Sequence, residues 1–237
     1  MTPRLSLILP VFNESRRLEK GLSKAVRYLL AQKYSWEMIV IDDGSTDSTP
    51  LIYSRFMHHY PQLPVYYIRI AHNFGKGHAI RVGVEAAGGN VIIFSDIDFS
   101  VSLDHIPFFL TALDTADIAI ASRRLFDSKV TKHQPKIRES LGKGFTELSN
   151  KILGLHHTDL TCGFKGFRNN KAKKLFSLQH LNGWAFDSEI LYLAHKLSMK
   201  VTEISVIWKN DPLTKVNMLK DIITSSRDLF RIKLWNG

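Results

Sequence analysis

Short apolar runs rich in β-branched residues alternate with stretches of helical spacing across the first half of this chain, and that alternation excludes most folds. Residues 5–10, 38–41, 65–70, 91–98 and 118–121 read as strands, with Gly, Pro, Asp or Ser at one end or the other. Between the first two, Leu18, Leu22, Ala25, Val26 and Leu29 recur on one helix face within 14–32. Further helices are predicted up to about residue 59, over 79–87 and over 106–113. Strand and helix alternate in this way through residue 122, which predicts an α/β fold built on a doubly wound, mostly parallel sheet. Ligands in such sheets gather outside the carboxyl ends of the strands.

Beyond residue 122 the rhythm loosens. Residues 125–135 are polar and basic without a period, and read as a mobile loop. A helix is predicted over 137–153, then a less regular part through 183. A helix over 187–197, a strand over 201–208 and a helix over 218–234 follow. No internal repeat or linker divides the chain, so residues 1–237 are expected to form one domain.

Composition narrows the class. Hydrophobic residues at 44% and charged ones at 23% suit a protein with a proper core. No apolar run reaches the roughly 18 residues of a spanning helix, and Met1-Thr2-Pro3-Arg4 leads into a strand without a signal-peptide pattern. The single cysteine, Cys162, excludes an internal disulfide and fits a reducing, cytoplasmic compartment. Net charge is +10, and residues 123–151 carry eight Lys or Arg against three acids, a net +5. Such a concentration attracts phosphates or anionic lipids. The basic residues lack interleaved aromatics for base stacking, so nucleic acid is not the expected partner.

Three clusters carry candidate chemistry. Asp96 and Asp98 close the fourth strand; in an extended chain i and i+2 point the same way, so both can meet one hard cation. Oxygen donors select Mg²⁺ or Mn²⁺, which is commonly shared with substrate phosphates. Asp42-Asp43-Gly44-Ser45 ends the second strand at the same edge, where a carboxylate can accept from a ribose or base; plain turn chemistry is the alternative. Gly75-Lys76-Gly77 opens a helix and offers N–H groups and an ammonium to a phosphate, although it is neither a P-loop nor a dinucleotide fingerprint.

In order and spacing, Pro10-Val11-Phe12-Asn13-Glu14, Asp42-Asp43-Gly44-Ser45-Thr46-Asp47, Gly75-Lys76-Gly77, Asp96-Ile97-Asp98 and Ser122-Arg123 resemble the inverting glycosyltransferases of family two, which have the GT-A fold. Residues 158–168 and 184–189 look like the polyprenyl-phosphate sugar synthases. Trp208 and Thr214-Lys215-Val216 are more similar to the dolichyl-phosphate glucosyltransferases than to the mannose enzymes. The resemblance implies a nucleotide-sugar-binding half over 1–122 and an acceptor-binding half over 123–237. Pro10, Phe12, Glu14, Asp42 and Asp43 would hold the nucleoside, Lys76 would lie near the donor, and Asp96 and Asp98 would hold a metal diphosphate with Mg²⁺ or Mn²⁺. Arg123 and Arg138 would grip the acceptor phosphate, with Lys165 and Lys215 in the same pocket. Ser100 stands where the mannose enzymes carry a third metal-associated side chain. UDP-glucose is the first donor implied and GDP-mannose the second; the acceptor is a polyprenyl phosphate.

The acceptor chemistry agrees. A sugar hydroxyl needs a general base, and Asp187 or Glu189 would supply it. A phosphate monoester, with a second pKa of about 6, is already largely a dianion at pH 7 and needs positive charge more than a base. Arginine suits that need, because its planar fork binds phosphate oxygens in pairs. Residues 222–235 mix Ile222, Ile223, Leu229, Phe230, Leu234 and Trp235 with Arg227, Arg231 and Lys233. A helix of that kind either lies in a membrane interface as a peripheral contact or packs its apolar face on the domain.

Overall fold

The computed structural model describes residues 2–212 and 218–236, with side chains from residue 224 onward in the second segment. The strands are β1 (Leu5–Val11), β2 (Trp36–Asp42), β3 (Val65–Arg69), β4 (Val91–Ser95), β5 (Ile118–Ser122), β6 (Lys129–Lys132), β7 (Phe164–Arg168), β8 (Val201–Ser205) and β9 (Ile207–Lys209). The helices are α1 (Leu18–Leu30), α2 (Thr49–His59), α3 (Lys76–Ala86), α4 (Ile106–Ala112), α5 (Lys136–Leu153), α6 (Asn169–Ser177), α7 (Phe186–Lys196) and α8 (Met218–Asn236). Seven strands form one sheet in the order β3-β2-β1-β4-β7-β5-β8. Pairing is parallel except at β7, which runs against both β4 and β5.

Alternation along each strand builds two cores. Leu5, Leu7 and Leu9 of β1 face Leu18 and Leu22 of α1 and Phe109 of α4, whereas Ile8 faces Ile80 of α3 and Phe186 and Ile190 of α7. In β4, Ile93 joins the first core and Phe94 the second. Strands apolar on both sides are what a sheet covered by two helical layers requires. The expected α/β architecture is therefore present.

The second half differs from the expectation in three places. The irregular part before residue 183 contains β7 and α6. Their signal is weak because β7 reads Phe164-Lys165-Gly166-Phe167-Arg168, where Lys, Gly and Arg interrupt the apolar pattern. The expected mobile loop over 125–135 contains β6, which pairs in parallel with β9. The predicted strand over 201–208 is two strands in two sheets, divided at Val206. In α8, Leu229 and Ile232 are buried while Phe230, Leu234 and Trp235 are exposed together with Arg227, Arg231 and Lys233. The helix thus packs one face on the domain, against α5 and α7, and keeps a second, basic and apolar face outside.

Candidate active site

The carboxyl ends of β1, β2, β4 and β5 lie along one edge of the sheet. Reversal of β7 brings its beginning to that edge too, with Phe164 opposite Ser95. Residues 159–163 therefore stand beside the two carboxylates that follow β4. Asp96 and Asp98 are not on extended chain as the sequence suggested: the strand ends at Ser95, and a turn follows in which Phe99 N–H donates to the Asp96 carbonyl at 3.1 Å. Phe99 holds a positive φ of 48°. The turn still brings the two carboxylates into one small cavity, lined also by Ser100, Gly163 and Trp208.

Each carboxylate faces a cation. Lys76 Nζ, at the start of α3, lies 2.5 Å from Asp96 Oδ1 and 5.4 Å from the centre of the Trp184 ring. Arg17 Nη1 lies 3.4 Å from Asp98 Oδ2, while its Nε and Nη2 grip Glu14 at 2.7 and 2.5 Å. Burial, then the neighbouring Asp96 charge, raises the Asp98 pKa against the opposing pull of Ser100 N–H and Arg17. Burial works against the Lys76 ammonium, but Asp96 and Asp187 overcome it and hold its proton more firmly than usual. Arg17 was missed from sequence; its i, i+3 spacing from Glu14 was the available signal.

The only charged donors the cavity offers are the two carboxylates, beside the Ser95 and Ser100 hydroxyls, and among the described residues no group of three His, Cys, Asp or Glu side chains converges on one point. Such a donor set fits an octahedral cation that keeps waters and phosphate oxygens as its other ligands, not an all-protein cage. Gly163 leaves room for it: a Cβ there would sit 2.1 Å from Asp96 Oδ2 and 3.1 Å from Lys76 Nζ. Gly163→Ala must therefore displace the carboxylate. Activity should fall by about 100-fold, the order expected for a misplacement of roughly 1 Å, with stability changed by about 1–3 kcal/mol. Steady-state rates alongside a thermal melt check this.

On the nucleoside side, Asp42 and Asp43 lie at the expected edge and are both held by the fold. Asp42 is fully buried; its Oδ1 accepts from Ser45 N–H at 2.8 Å and its Oδ2 from Tyr67 Oη at 2.5 Å. Asp43 accepts from Phe74 N–H, Gly75 N–H and Asn73 Nδ2 at 3.0, 2.8 and 2.9 Å, and so holds the loop that presents Lys76. Both carboxylates are engaged by the fold, because an acid at a strand end is also the best acceptor for the next loop's N–H groups. Gly75 is required in that loop, with φ of 107° and Asn182 O only 2.6 Å from a would-be Cβ. Pro10 is half-buried at the same edge, and Phe12 is 37% exposed there.

Across the cavity, Arg123 follows β5. Its Nε and Nη2 donate to the two oxygens of Asp159 at 2.6 and 2.9 Å, Nη2 also reaches Thr161 Oγ1 at 3.0 Å, and the guanidinium lies over Trp208. Arg138, half-buried on the first turn of α5, lies where both Arg123 and Asp98 act on it; burial and then the Arg123 charge lower its pKa, and Asp98 raises it. Lys165 is a correction. It is 1% exposed, and its ammonium donates to Leu160 O, Cys162 O and Asp187 Oδ1 at 3.0, 2.8 and 2.6 Å, so no proton remains for an acceptor. Lys215 lies outside the described residues. Glu189 accepts from the His180 and Leu181 N–H groups at 3.0 and 2.8 Å, which leaves it a structural acid.

The Arg123–Asp159 pair makes stability depend on acid. Burial alone would raise the Asp159 pKa, but the Arg123 charge and hydrogen bonds pull it down to about 2. A depressed carboxyl contributes stability above its unfolded value of about 4, and the contribution disappears as pH falls through 2. The unfolding free energy of the wild type, relative to Asp159→Asn, should therefore fall by about 2 kcal/mol between pH 5 and 2. Urea denaturation across that range measures it.

Comparison with known proteins places this edge in context. Residues 6–176 match the family model described as Glycosyl transferase family 2. The chain is 33% identical to a dolichyl-phosphate beta-glucosyltransferase of Trichomonas vaginalis, over 98% of this chain and 73% of that protein. It is 30% identical to the enzyme of that name from Dictyostelium discoideum, over 97% and 73%. Among solved structures, glucosyl-3-phosphoglycerate synthase from Mycobacterium tuberculosis in complex with UDP superposes with a TM-score of 0.70 at 16% identity, over 98% of this chain and 79% of that one. The mannosyltransferase from Pyrobaculum calidifontis in complex with GDP-Man and Mn²⁺ gives 0.60 at 18%, over 92% and 59%. The structural likeness carries the fold, and the sequence match carries the membership: this chain belongs to glycosyl transferase family 2 and has the GT-A fold.

Proposed function

We propose that this hexosyltransferase moves glucose from UDP-glucose to a polyprenyl phosphate of the dolichyl class, inverting the anomeric carbon. The relatives' names support the glucose and the dolichyl phosphate. The observation that carries the reading at the site is the arginine beside the carboxylate turn: Arg123 lies over Trp208, which lines the Asp96/Asp98 cavity, and Arg138 feels the charges of both Arg123 and Asp98. An acceptor phosphate drawn to these guanidinium groups faces a sugar whose diphosphate lies at the Asp96/Asp98 turn. Its oxygen forms the new bond to C1 as the bond to the diphosphate breaks, and UDP leaves from the opposite side. Asp96 and Asp98, with Lys76 beside them, hold the donor diphosphate, and Mg²⁺ or Mn²⁺ bound there would supply Lewis-acid neutralisation of the leaving group.

A hydroxyl acceptor would need a base, and the two acids considered for it are otherwise engaged. Asp187 is buried against the Lys165 ammonium and Glu189 against backbone N–H groups. A phosphate dianion needs no proton removed. The acceptor also explains the outer face of α8. No helix among the described residues is long and apolar enough to cross a membrane. Phe230, Leu234 and Trp235 beside Arg227, Arg231 and Lys233 suit a peripheral contact with an anionic lipid surface.

The test is a panel of nucleotide sugars with polyprenyl phosphate in anionic vesicles or in detergent, and with Mg²⁺, Mn²⁺ or a chelator. Glucosylated lipid phosphate from UDP-glucose, faster on vesicles and lost with the chelator, is the expected result. Transfer to soluble sugar hydroxyls in place of the lipid would overturn the acceptor.

A further inference from the structure

The Lys165–Asp187 pair is buried, and it stands where the two halves of the site are joined. Lys165 fastens the backbone of residues 160–162 through the carbonyls of Leu160 and Cys162 and is itself anchored to α7 through Asp187, at 2.6 Å. The segment it fastens touches both sides of the reaction. On one side Gly163 lies against the Asp96 carboxylate so closely that a Cβ would have to displace it. On the other, Asp159 and Thr161 hold the Arg123 guanidinium at 2.6 to 3.0 Å. Asp187 also acts on Lys76, the cation that meets Asp96.

We infer that Lys165 and Asp187 are positioning residues that set the spacing between the donor carboxylate Asp96 and the acceptor arginine Arg123, through the 159–163 segment. A buried ion pair is a poor source of stability, since apolar residues of equal volume often serve as well or better. It is a good source of position: an ammonium with three fixed acceptors admits one arrangement of the backbone around it, which a methionine would not impose. The inference rests on the acceptor reading only for its Arg123 half. The Asp96 half is measurable without any acceptor.

Lys165→Met leaves the Asp187 carboxyl buried without its partner, so this variant alone confounds folding with position. The double variant Lys165→Met/Asp187→Leu removes both charges and should recover most of the lost melting temperature. Three quantities are compared across wild type, single and double variants: melting temperature, UDP affinity with Mn²⁺ by calorimetry, and kcat with the KM of each substrate. If the pair positions the site, the double variant melts near the wild type but binds UDP about 10-fold more weakly. Its kcat falls by about 100-fold, the order expected for a displacement of roughly 1 Å. If the pair only holds the fold, affinity and kcat return with the melting temperature, and the inference is overturned. A failure of the acceptor reading would appear separately, as a wild type that binds UDP normally and makes no lipid-linked product.

Discussion

Asp98→Ala should lower kcat by at least about 1,000-fold while the protein stays folded. A cation that neutralises a departing diphosphate contributes several kcal/mol at the transition state, and about 4 kcal/mol corresponds to a factor of about 1,000. The folded state loses less. Asp98 accepts one backbone hydrogen bond from Ser100 at 2.9 Å and faces Arg17 at 3.4 Å. Their removal costs about 1–3 kcal/mol, and relief of repulsion from Asp96, which raises the Asp98 pKa, offsets part of it. The measurement is kcat at saturating donor and Mn²⁺, alongside a thermal melt. Full activity of the variant in the presence of a divalent chelator would end the metal-dependent version of the mechanism.

Arg138→Ala should raise the KM for the lipid phosphate by about 10- to 100-fold, the value of a hydrogen bond to a charged group, and leave the KM for UDP-glucose within about 2-fold. Arg138→Lys should fall between, because it keeps the charge and loses the planar fork. Truncating Arg123 strands the fully buried Asp159 without its bidentate partner, so a loss of activity there mixes folding with binding. Equal effects of Arg138→Ala on both substrates would place the guanidinium on the donor and sink the assignment of the acceptor phosphate to this side of the cavity.

Much of the donor edge was legible in the sequence. The alternation through residue 122 gave β1 to β5 and their helices, and the acids at 42–43 and 96–98 were recognisable as strand-end residues. Their roles were less legible. Asp42 and Asp43 carry the composition of a ligand site and also bind Ser45, Tyr67 and the 73–75 loop. Nothing in their spacing distinguishes an acid facing solvent from one facing a neighbouring loop. Lys165 shows the converse: it reads as a cation for the acceptor phosphate, yet it is buried because two carbonyls of the preceding loop and the Asp187 carboxylate of α7 close around it.

By itself the sequence determined the layered α/β class, the edge at which the acids gather and the family to which they point, because those depend on periodicity and on residue order within short windows. The tertiary structure alone decided which charges remain for chemistry. β7 carries a broken apolar pattern, and its insertion between β4 and β5 in the opposite direction brings 159–163 against Asp96 and Arg123. No local signal encodes that reversal; it follows from which edge was left to pair, and hydrogen-bond satisfaction across the whole sheet settles it.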